Sequence, residues 1–171
     1  KLSSRGPVFF IQYRIGLNNQ KFRCLKFRSM YVENEATGKV FTPTIENDTR
    51  VTKFGKILRR SNLDELPQFW NVIKGEMSIV GPRPLAVAFS LDYTDYSDAF
   101  KLRQRVKPGL TGWAQVHGLR GEVADQIENR KRSIQRIEYD LWYIKNWSIL
   151  IDIRIILLTV WQMLTGKTAA H

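Results

Sequence analysis

The ten-residue sequence RRSNLDELPQ, residues 59–68, is the most informative stretch for the fold. It predicts the start of a helix and places two arginines and two carboxylates close to that start. Asn62 is a favoured N-cap residue type, and Glu65 three positions later completes a capping box. A proline at residue 67 suits a first turn and a glycine at residue 75 suits a helix end. We therefore predict a helix from Leu63 to Lys74 that presents Asp64 and Glu65 at its N-terminus.

N-terminal to this stretch, two apolar runs flank a short turn. Residues 8–15 and 21–30 are rich in β-branched and aromatic side chains, and the sequence GLNNQ at 16–20 separates them. This pattern predicts a β-hairpin. Residues 31–48 are predicted to form a polar loop, and residues 51–60 a short basic helix.

C-terminal to the central stretch, the chain alternates between short apolar runs and helical patterns. The sequence predicts a short buried strand or a turn at 78–80, a helix at 92–105, a loop at 107–112, a short strand at 113–116 and a charged amphipathic helix at 126–144. No linker or repeat divides the chain. We expect a single α+β domain over residues 1–171, in which a β-hairpin and short strands pack with amphipathic helices.

Composition points to a polyanionic partner. The chain of 171 residues carries 27 Lys and Arg against 16 Asp and Glu, which gives a net charge of +11. Such a surplus favours nucleic acid, anionic lipid or a phosphorylated substrate. The 43% hydrophobic content is too high for a disordered basic tail. The single cysteine, Cys24, excludes an intrachain disulfide and suits a reducing compartment.

The last predicted helix, residues 147–164, is apolar almost all round. It is barely long enough to span a bilayer, which takes about 20 apolar residues, and it contains Asp152 and Arg154. An interfacial helix and a buried core helix are about equally consistent with this segment. The chain does not begin with Met, and we expect it to be a C-terminal fragment of a longer protein.

The adjacent carboxylates of Asp64 and Glu65 have two readings. Acidic residues in a first helical turn stabilise the helix dipole by about 0.3–1 kcal/mol, and that purely structural role explains most such pairs. Here Arg59 or Arg60 would help to keep a carboxylate ionised, and we expect one of the two to lie on a solvated basic face. An ionised Asp can attack phosphorus to form an acyl phosphate, and an adjacent carboxylate can hold Mg²⁺ together with substrate phosphates.

Three further charged residues are candidates for the same site. Arg83 lies between two prolines, which stiffen its backbone and suit it to bidentate phosphate binding, although it could be an ordinary turn residue. Lys26 is either a second phosphate contact or an edge-strand lysine. Asp152, in its apolar helix, either pairs with an arginine or orients an active-site arginine.

In addition, the sequence closely resembles the bacterial sugar transferases that act on polyprenyl phosphates, the monotopic phosphoglycosyl transferases. Matching motifs occur in order along nearly the whole chain, and the ordered set is highly specific although each one alone is weak. They are GPVFF at 6–10, RIG at 14–16, KFRSM at 26–30, DTRVT at 48–52, LDELPQ at 63–68, VGPRP at 80–84, KPGLTGWAQV at 107–116 and residues 143–152.

This resemblance implies transfer of a sugar-1-phosphate from a UDP-sugar to undecaprenyl phosphate with release of UMP, an early membrane step of exopolysaccharide, capsule or O-antigen synthesis. It implies that Asp64 is the nucleophile of a covalent phospho-sugar intermediate and that Glu65 binds Mg²⁺. The remaining positions that it assigns to substrate binding are Lys26, Arg59, Arg83 and Asp152. The segment 118–122 resembles members that use glucose-1-phosphate, and galactose or an N-acetylated sugar stays open.

The resemblance also implies a location at the cytoplasmic face of the bacterial inner membrane, on an anionic lipid surface, with no nucleic-acid partner. A homodimer is left open. Members of the family carry a re-entrant membrane helix before residue 6, and this sequence does not contain it. Two alternatives remain at this point: a basic nucleic-acid-binding module, and a non-catalytic scaffold at the membrane surface.

Overall fold

The computed structural model describes residues 4–32, 48–85, 97–121 and 125–166, and it consists of helices and two small sheets. This confirms the α+β class. The strands are β1 (Phe9–Ile15), β2 (Lys21–Phe27), β3 (Ser78–Val80) and β4 (Gly109–Thr111). The helices are α1 (Lys53–Arg60), α2 (Gln68–Ile73), α3 (Ser97–Arg103), α4 (Trp113–Val116), α5 (Gln126–Lys145) and α6 (Ile149–Thr165).

The predicted hairpin is confirmed. β1 and β2 pair antiparallel, with Phe9 opposite Phe27 at one end and Ile15 opposite Lys21 at the other. A 3-10 turn joins them, and the asparagines at its tip adopt positive φ, which Asn tolerates better than most residues. β2 alternates, so Phe22 and Cys24 are buried against Met77 while their neighbours face outward. The hairpin therefore supplies one wall of a small core.

The predicted helix over Leu63–Lys74 was wrong in its first half. Residues Leu63–Glu65 form a separate 3-10 turn, and α2 begins only at Gln68. Asn62 has a φ of 55° in the left-handed region and makes no side-chain cap. Its Oδ1 accepts a hydrogen bond from Nη1 of Arg120 at 2.9 Å. The capping box fails because this distant guanidinium takes the side chain that would have capped the helix.

Two predictions around residue 110 were also wrong. The predicted loop at 107–112 contains β4, which pairs in parallel with β3, and the predicted strand at 113–116 is the short helix α4. The pairing depends on close backbone contact, since a Cβ on Gly109 would lie 2.2 Å from the backbone nitrogen of Gly81. α4 begins at once after Gly112, whose carbonyl accepts from Val116 at 3.1 Å. Three of its four residues, Ala114, Gln115 and Val116, are buried.

The other helices fall close to their predicted positions. The basic helix is α1 and the charged amphipathic helix is α5. Helix α3 covers residues 97–103 of the predicted 92–105 helix, and residues 104–105 form a turn. The start of that helix, the polar loop at 33–47 and Glu122 lie outside them. A second core joins β3, α4, α5 and α6 through Val80, Val116, Tyr143 and Ile155.

Helix α6 is not a core helix. Only Ile155 is fully buried, whereas large apolar side chains along the rest of the helix are exposed, with Leu150 at 73% and Leu164 at 82%. Its polar residue Thr159 faces the domain, where its hydroxyl lies 2.7 Å from that of Thr111. Within the described residues, no helix combines the length and the apolar character needed to cross a membrane.

Candidate active site

The 3-10 turn Leu63–Glu65 places two carboxylates side by side against β2 and α1. The left-handed Asn62 reverses the chain after α1, so that the turn folds back toward the hairpin. Asp64 is buried, with 8% of its surface exposed, and Glu65 is half-buried. The carboxylate pair therefore lies in a partly desolvated recess, where electrostatic interactions are stronger than in water.

Two cations hold Glu65. Lys26 Nζ lies 2.7 Å from Glu65 Oε1, and Arg83 Nη2 lies 2.6 Å from the same oxygen. Arg83 Nη1 also donates to Oε2 at 3.3 Å, so the guanidinium binds the carboxylate through both oxygens. Burial alone would raise the pKa of Glu65, but Arg83 and Lys26 outweigh it and hold the pKa well below its ordinary value. Glu65 is therefore a permanent anion at neutral pH.

The Asp64 carboxyl has a different environment. Burial raises its pKa, and the adjacent Glu65 anion adds to that effect, while Lys26, Arg59 and Arg83 oppose it. The expected help from a neighbouring arginine is present, but desolvation is the larger influence. A desolvated carboxylate close to several cations has lost hydration that would otherwise weaken it as a nucleophile.

Arg59 reaches the site from the last turn of α1. Its Nε donates to Ser29 Oγ at 2.8 Å, and its guanidinium is within electrostatic reach of Asp64. Burial lowers the pKa of Arg59, with the Asp64 charge opposing this shift. Arg60, the next residue, is exposed, as expected for one member of the pair. Helix α1 thus contributes one arginine to the carboxylates and one to solvent.

The structure brings together five of the six residues predicted for the site: Lys26, Arg59, Asp64, Glu65 and Arg83. The sixth, Asp152, lies at the start of α6. Its Oδ1 accepts from the Tyr143 hydroxyl at 2.7 Å and its Oδ2 from Trp147 Nε1 at 3.2 Å. Neither donor is an arginine, and both lie at the junction of α5 and α6. Among the described contacts, Asp152 fixes that junction and does not reach the carboxylate pair.

Sequence reasoning missed Arg120 as a member of the charged cluster. Burial lowers its pKa, the Arg83 charge adds to this effect, and Glu65 and Asp64 oppose it, so it lies within electrostatic reach of all three. Arg120 Nε and Asn62 Nδ2 are buried without a hydrogen-bond partner among the described residues. In the sequence, Arg120 is a single basic residue of the segment 118–122, and no spacing pattern links it to the carboxylates. The cluster therefore contains four cations around two carboxylates.

The carboxylate pair suits Mg²⁺ only in part. No group of three or more metal-ligating side chains occurs in the described ranges, and both Glu65 oxygens already face cations. Mg²⁺ commonly uses one or two protein carboxylates and completes its shell with water and substrate phosphates. Asp64 and Glu65 offer the right donor chemistry for such a shared site. A diphosphate would have to supply the remaining ligands and attract Lys26 and Arg83 away from Glu65.

The chain belongs to the bacterial sugar transferase family, whose model matches residues 1–166. This assignment agrees with the resemblance seen in the motifs and favours a transferase over a nucleic-acid-binding or purely structural module.

Individual relatives within the bacterial sugar transferase family have more specific names. Over 99% of its length the chain is 51% identical to the UDP-glucose:undecaprenyl-phosphate glucose-1-phosphate transferases of Escherichia coli and Xanthomonas campestris. It is 43% identical over 97% of its length to a UDP-N-acetylgalactosamine-undecaprenyl-phosphate N-acetylgalactosaminephosphotransferase of Aeromonas hydrophila, of which it covers 37%. The chain spans about a third of the length of the first two relatives, 35% and 34%.

Proposed function

We propose that this chain carries the catalytic domain of a phosphoglycosyl transferase, which moves a sugar-1-phosphate from a UDP-sugar to undecaprenyl phosphate. The observation that carries the proposal is the buried Asp64 beside the doubly paired Glu65, within a ring of cations. Phosphoryl transfer depends on positioning and on stabilising negative charge, and this cluster offers both. The glucose-1-phosphate transferases among the relatives favour UDP-glucose as donor.

The reaction has two displacements at one phosphorus atom. An Asp64 carboxylate oxygen attacks the phosphorus that carries the sugar, the bond to the bridging oxygen of the diphosphate breaks, and UMP leaves with that oxygen and its electron pair. A phosphate oxygen of undecaprenyl phosphate then attacks the same phosphorus and releases the Asp64 carboxylate. The product is undecaprenyl diphosphate sugar, and no oxidant or water is consumed. A covalent intermediate lets one residue serve a soluble donor and a lipid acceptor in turn.

The surrounding cations have complementary tasks. Lys26 and Arg83, which pair with Glu65, are close enough to bind the donor phosphates once the diphosphate enters. Arg59 balances the Asp64 charge from the other side and is oriented by Ser29. Guanidiniums suit this task because their planar forks bind phosphate oxygens in pairs.

We also propose Mg²⁺ as the cofactor, held by Glu65 with Asp64 beside it and completed by the donor diphosphate. When bound, Mg²⁺ neutralises charge on the phosphates and favours departure of UMP. Glu65 suits this role because its carboxylate remains ionised, and its existing ion pairs make metal binding depend on the arrival of the diphosphate.

The acceptor is a lipid, so the site must work at a membrane surface. Helix α6 offers an exposed apolar stripe that includes Leu150, Leu157, Trp161 and Leu164. We propose that this stripe lies in the lipid interface and that the basic surplus attracts the anionic cytoplasmic face of the bacterial inner membrane. Replacing Leu157 with Glu should reduce flotation with anionic liposomes, whereas Glu138→Gln on α5 should not. Equal flotation of wild type and Leu157→Glu would contradict the interfacial placement.

The test of the activity is UMP release from a panel of UDP-sugars, with the full chain in bilayer nanodiscs, undecaprenyl phosphate and Mg²⁺. We expect release with UDP-glucose that depends on the lipid acceptor for repeated turnovers. Release with an N-acetylated donor alone would keep the reaction and correct the donor. No release with any donor would overturn the proposed function.

A further inference from the structure

The segment Pro82–Leu85, which presents Arg83 to Glu65, is fixed through its carbonyl groups. Prolines at 82 and 84 have no N–H, so the segment can donate few backbone hydrogen bonds. Four successive carbonyls nevertheless accept one each. The donors are Gly109 N to Pro82 at 2.9 Å, the Arg103 guanidinium to Arg83, Arg14 Nη1 to Pro84 at 2.7 Å and Ile15 N to Leu85 at 3.0 Å.

The donor to the Arg83 carbonyl is itself buried and paired. Arg103 is the last residue of α3 and is 6% exposed, and its Nε lies 2.6 Å from Oδ2 of Asp140, which is 2% exposed on α5. A buried ion pair of this kind is rarely a net source of stability, because desolvating both charges offsets their attraction. Because burying Arg103 and Asp140 brings little net stability, we expect another role of this ion pair in its contacts with the Pro82–Leu85 segment.

We propose that Arg103, oriented by Asp140, is a positioning residue that fixes the backbone of Arg83 and thereby aims its guanidinium at Glu65 and the donor phosphate. The Asp140 carboxylate holds Nε of Arg103, which leaves Nη2 directed at the Arg83 carbonyl. The inference deepens the proposed function and rests on it for the identity of the phosphate. Neither Arg103 nor Asp140 has to touch the substrate.

Geometry makes the requirement strict. Arg83 binds both Glu65 oxygens, at 2.6 and 3.3 Å, and a small shift of its backbone would break that fork. Displacing a substrate-positioning group by about 1 Å can lower a rate by about 100-fold. Arg14, oriented by Gln12 Oε1 at 2.6 Å, supports the neighbouring Pro84 carbonyl from β1. The Arg83 carbonyl itself is held by the side chain of Arg103.

Two variants separate positioning from folding. The double variant Arg103→Met with Asp140→Leu replaces the pair by apolar side chains, an exchange that is often neutral or stabilising. The single variant Arg103→Lys keeps a cation for Asp140, but one ammonium group replaces the fork that reaches both partners. We expect both to fold, and both to release UMP about 100-fold more slowly than wild type. Asp98→Asn, on the exposed face of α3, is the matched control and should match wild type.

The decisive readout is the coupling to Arg83. Arg83→Gln should slow UMP release strongly in the wild-type background and less than about threefold in the double variant, because Arg83 is already misplaced there. Equal effects in both backgrounds, or near-normal turnover in the double variant, would overturn the positioning role.

A second readout needs no turnover. NMR of the guanidinium protons of Arg83 should show slow exchange in wild type and Asp98→Asn and fast exchange in the double variant. Unchanged protection in the double variant would reject the inference even in a chain that acts on no UDP-sugar. Absence of UMP release in wild type with these NMR differences intact would instead reject the proposed function alone.

Discussion

Replacing Gly55 with Ala should destabilise this protein, although the same change in most helices is favourable. Gly55 lies inside α1, where alanine is normally preferred by about 1 kcal/mol. Here a Cβ would lie 1.9 Å from the backbone oxygen of Ser29, and an increase to 3.0 Å requires α1 to move by about 1.1 Å. Ser29 is also the residue whose hydroxyl orients Arg59.

The stability loss follows from the cost of overpacking, which is about 1–3 kcal/mol. For a chain of this size that corresponds to a fall in Tm of about 2 to 12 °C. The same displacement should lower UMP release by up to about 100-fold, because Arg59 moves with α1. Thermal unfolding followed by circular dichroism measures the first effect, and Lys56→Ala, exposed on the same helix, is the control. A Tm at or above the wild-type value in Gly55→Ala would refute the close packing of α1 on Ser29.

Three further predictions concern the carboxylates. Asp64→Asn should lower UMP release by at least about 10⁴-fold, while Tm at pH 7 should stay equal or rise. Because burial raises the pKa of Asp64, its charged form opposes folding, and a fall in Tm would contradict this argument. Glu65→Gln should lower Tm by about 6 to 20 °C at pH 7, since removing one partner of a buried ion pair costs about 3–5 kcal/mol. Because the pKa of Glu65 is lowered, the Tm difference between wild type and Glu65→Gln should persist as the pH falls to 4.5, the ordinary pKa of a glutamate, and vanish only at lower pH. Loss of the Tm difference near pH 6 would contradict the lowered pKa. Mn²⁺ binding, followed by electron paramagnetic resonance, should be at least about tenfold tighter with UDP than without it. Equal affinities would contradict the proposal that a diphosphate must first attract Lys26 and Arg83 away from Glu65.

The sequence predicts elements whose signals are local. The hairpin follows from strand alternation on either side of a turn, and α5 and α6 follow from their helical and apolar patterns. The structure adds their N-caps, Asp125 and Ser148. The 3-10 turn at Leu63–Glu65 could not be predicted in this way. Its geometry depends on Asn62, whose side chain bonds Arg120, 58 positions away in sequence. The parallel pairing of β3 and β4 is likewise non-local and depends on backbone contact at glycine.

The candidate site shows the same division. Five charged residues predicted from motif and chemistry converge, because the hairpin, α1 and the Pro82–Leu85 segment all meet the 3-10 turn. Asp152 is predicted for the site partly because a charged residue is unusual in an apolar helix, but its hydrogen-bond donors are Tyr143 and Trp147. Arg120 could not be assigned to the site from the sequence, because its proximity to the carboxylates follows from the fold, through its hydrogen bond to Asn62 and its electrostatic interactions with Glu65 and Asp64. The sequence shows which residues are charged, whereas the three-dimensional fold decides which charged residues pair.

The most direct test of the central claim is intact-protein mass spectrometry after mixing the full chain with UDP-glucose and Mg²⁺ in the absence of lipid acceptor. We expect a mass increase equal to one hexose phosphate, mapped by proteolysis to Asp64, absent in Asp64→Asn and discharged by adding undecaprenyl phosphate. An adduct on another residue would contradict the assignment of the nucleophile. UMP release with no adduct at any time point would contradict the covalent route and favour direct transfer between the two substrates.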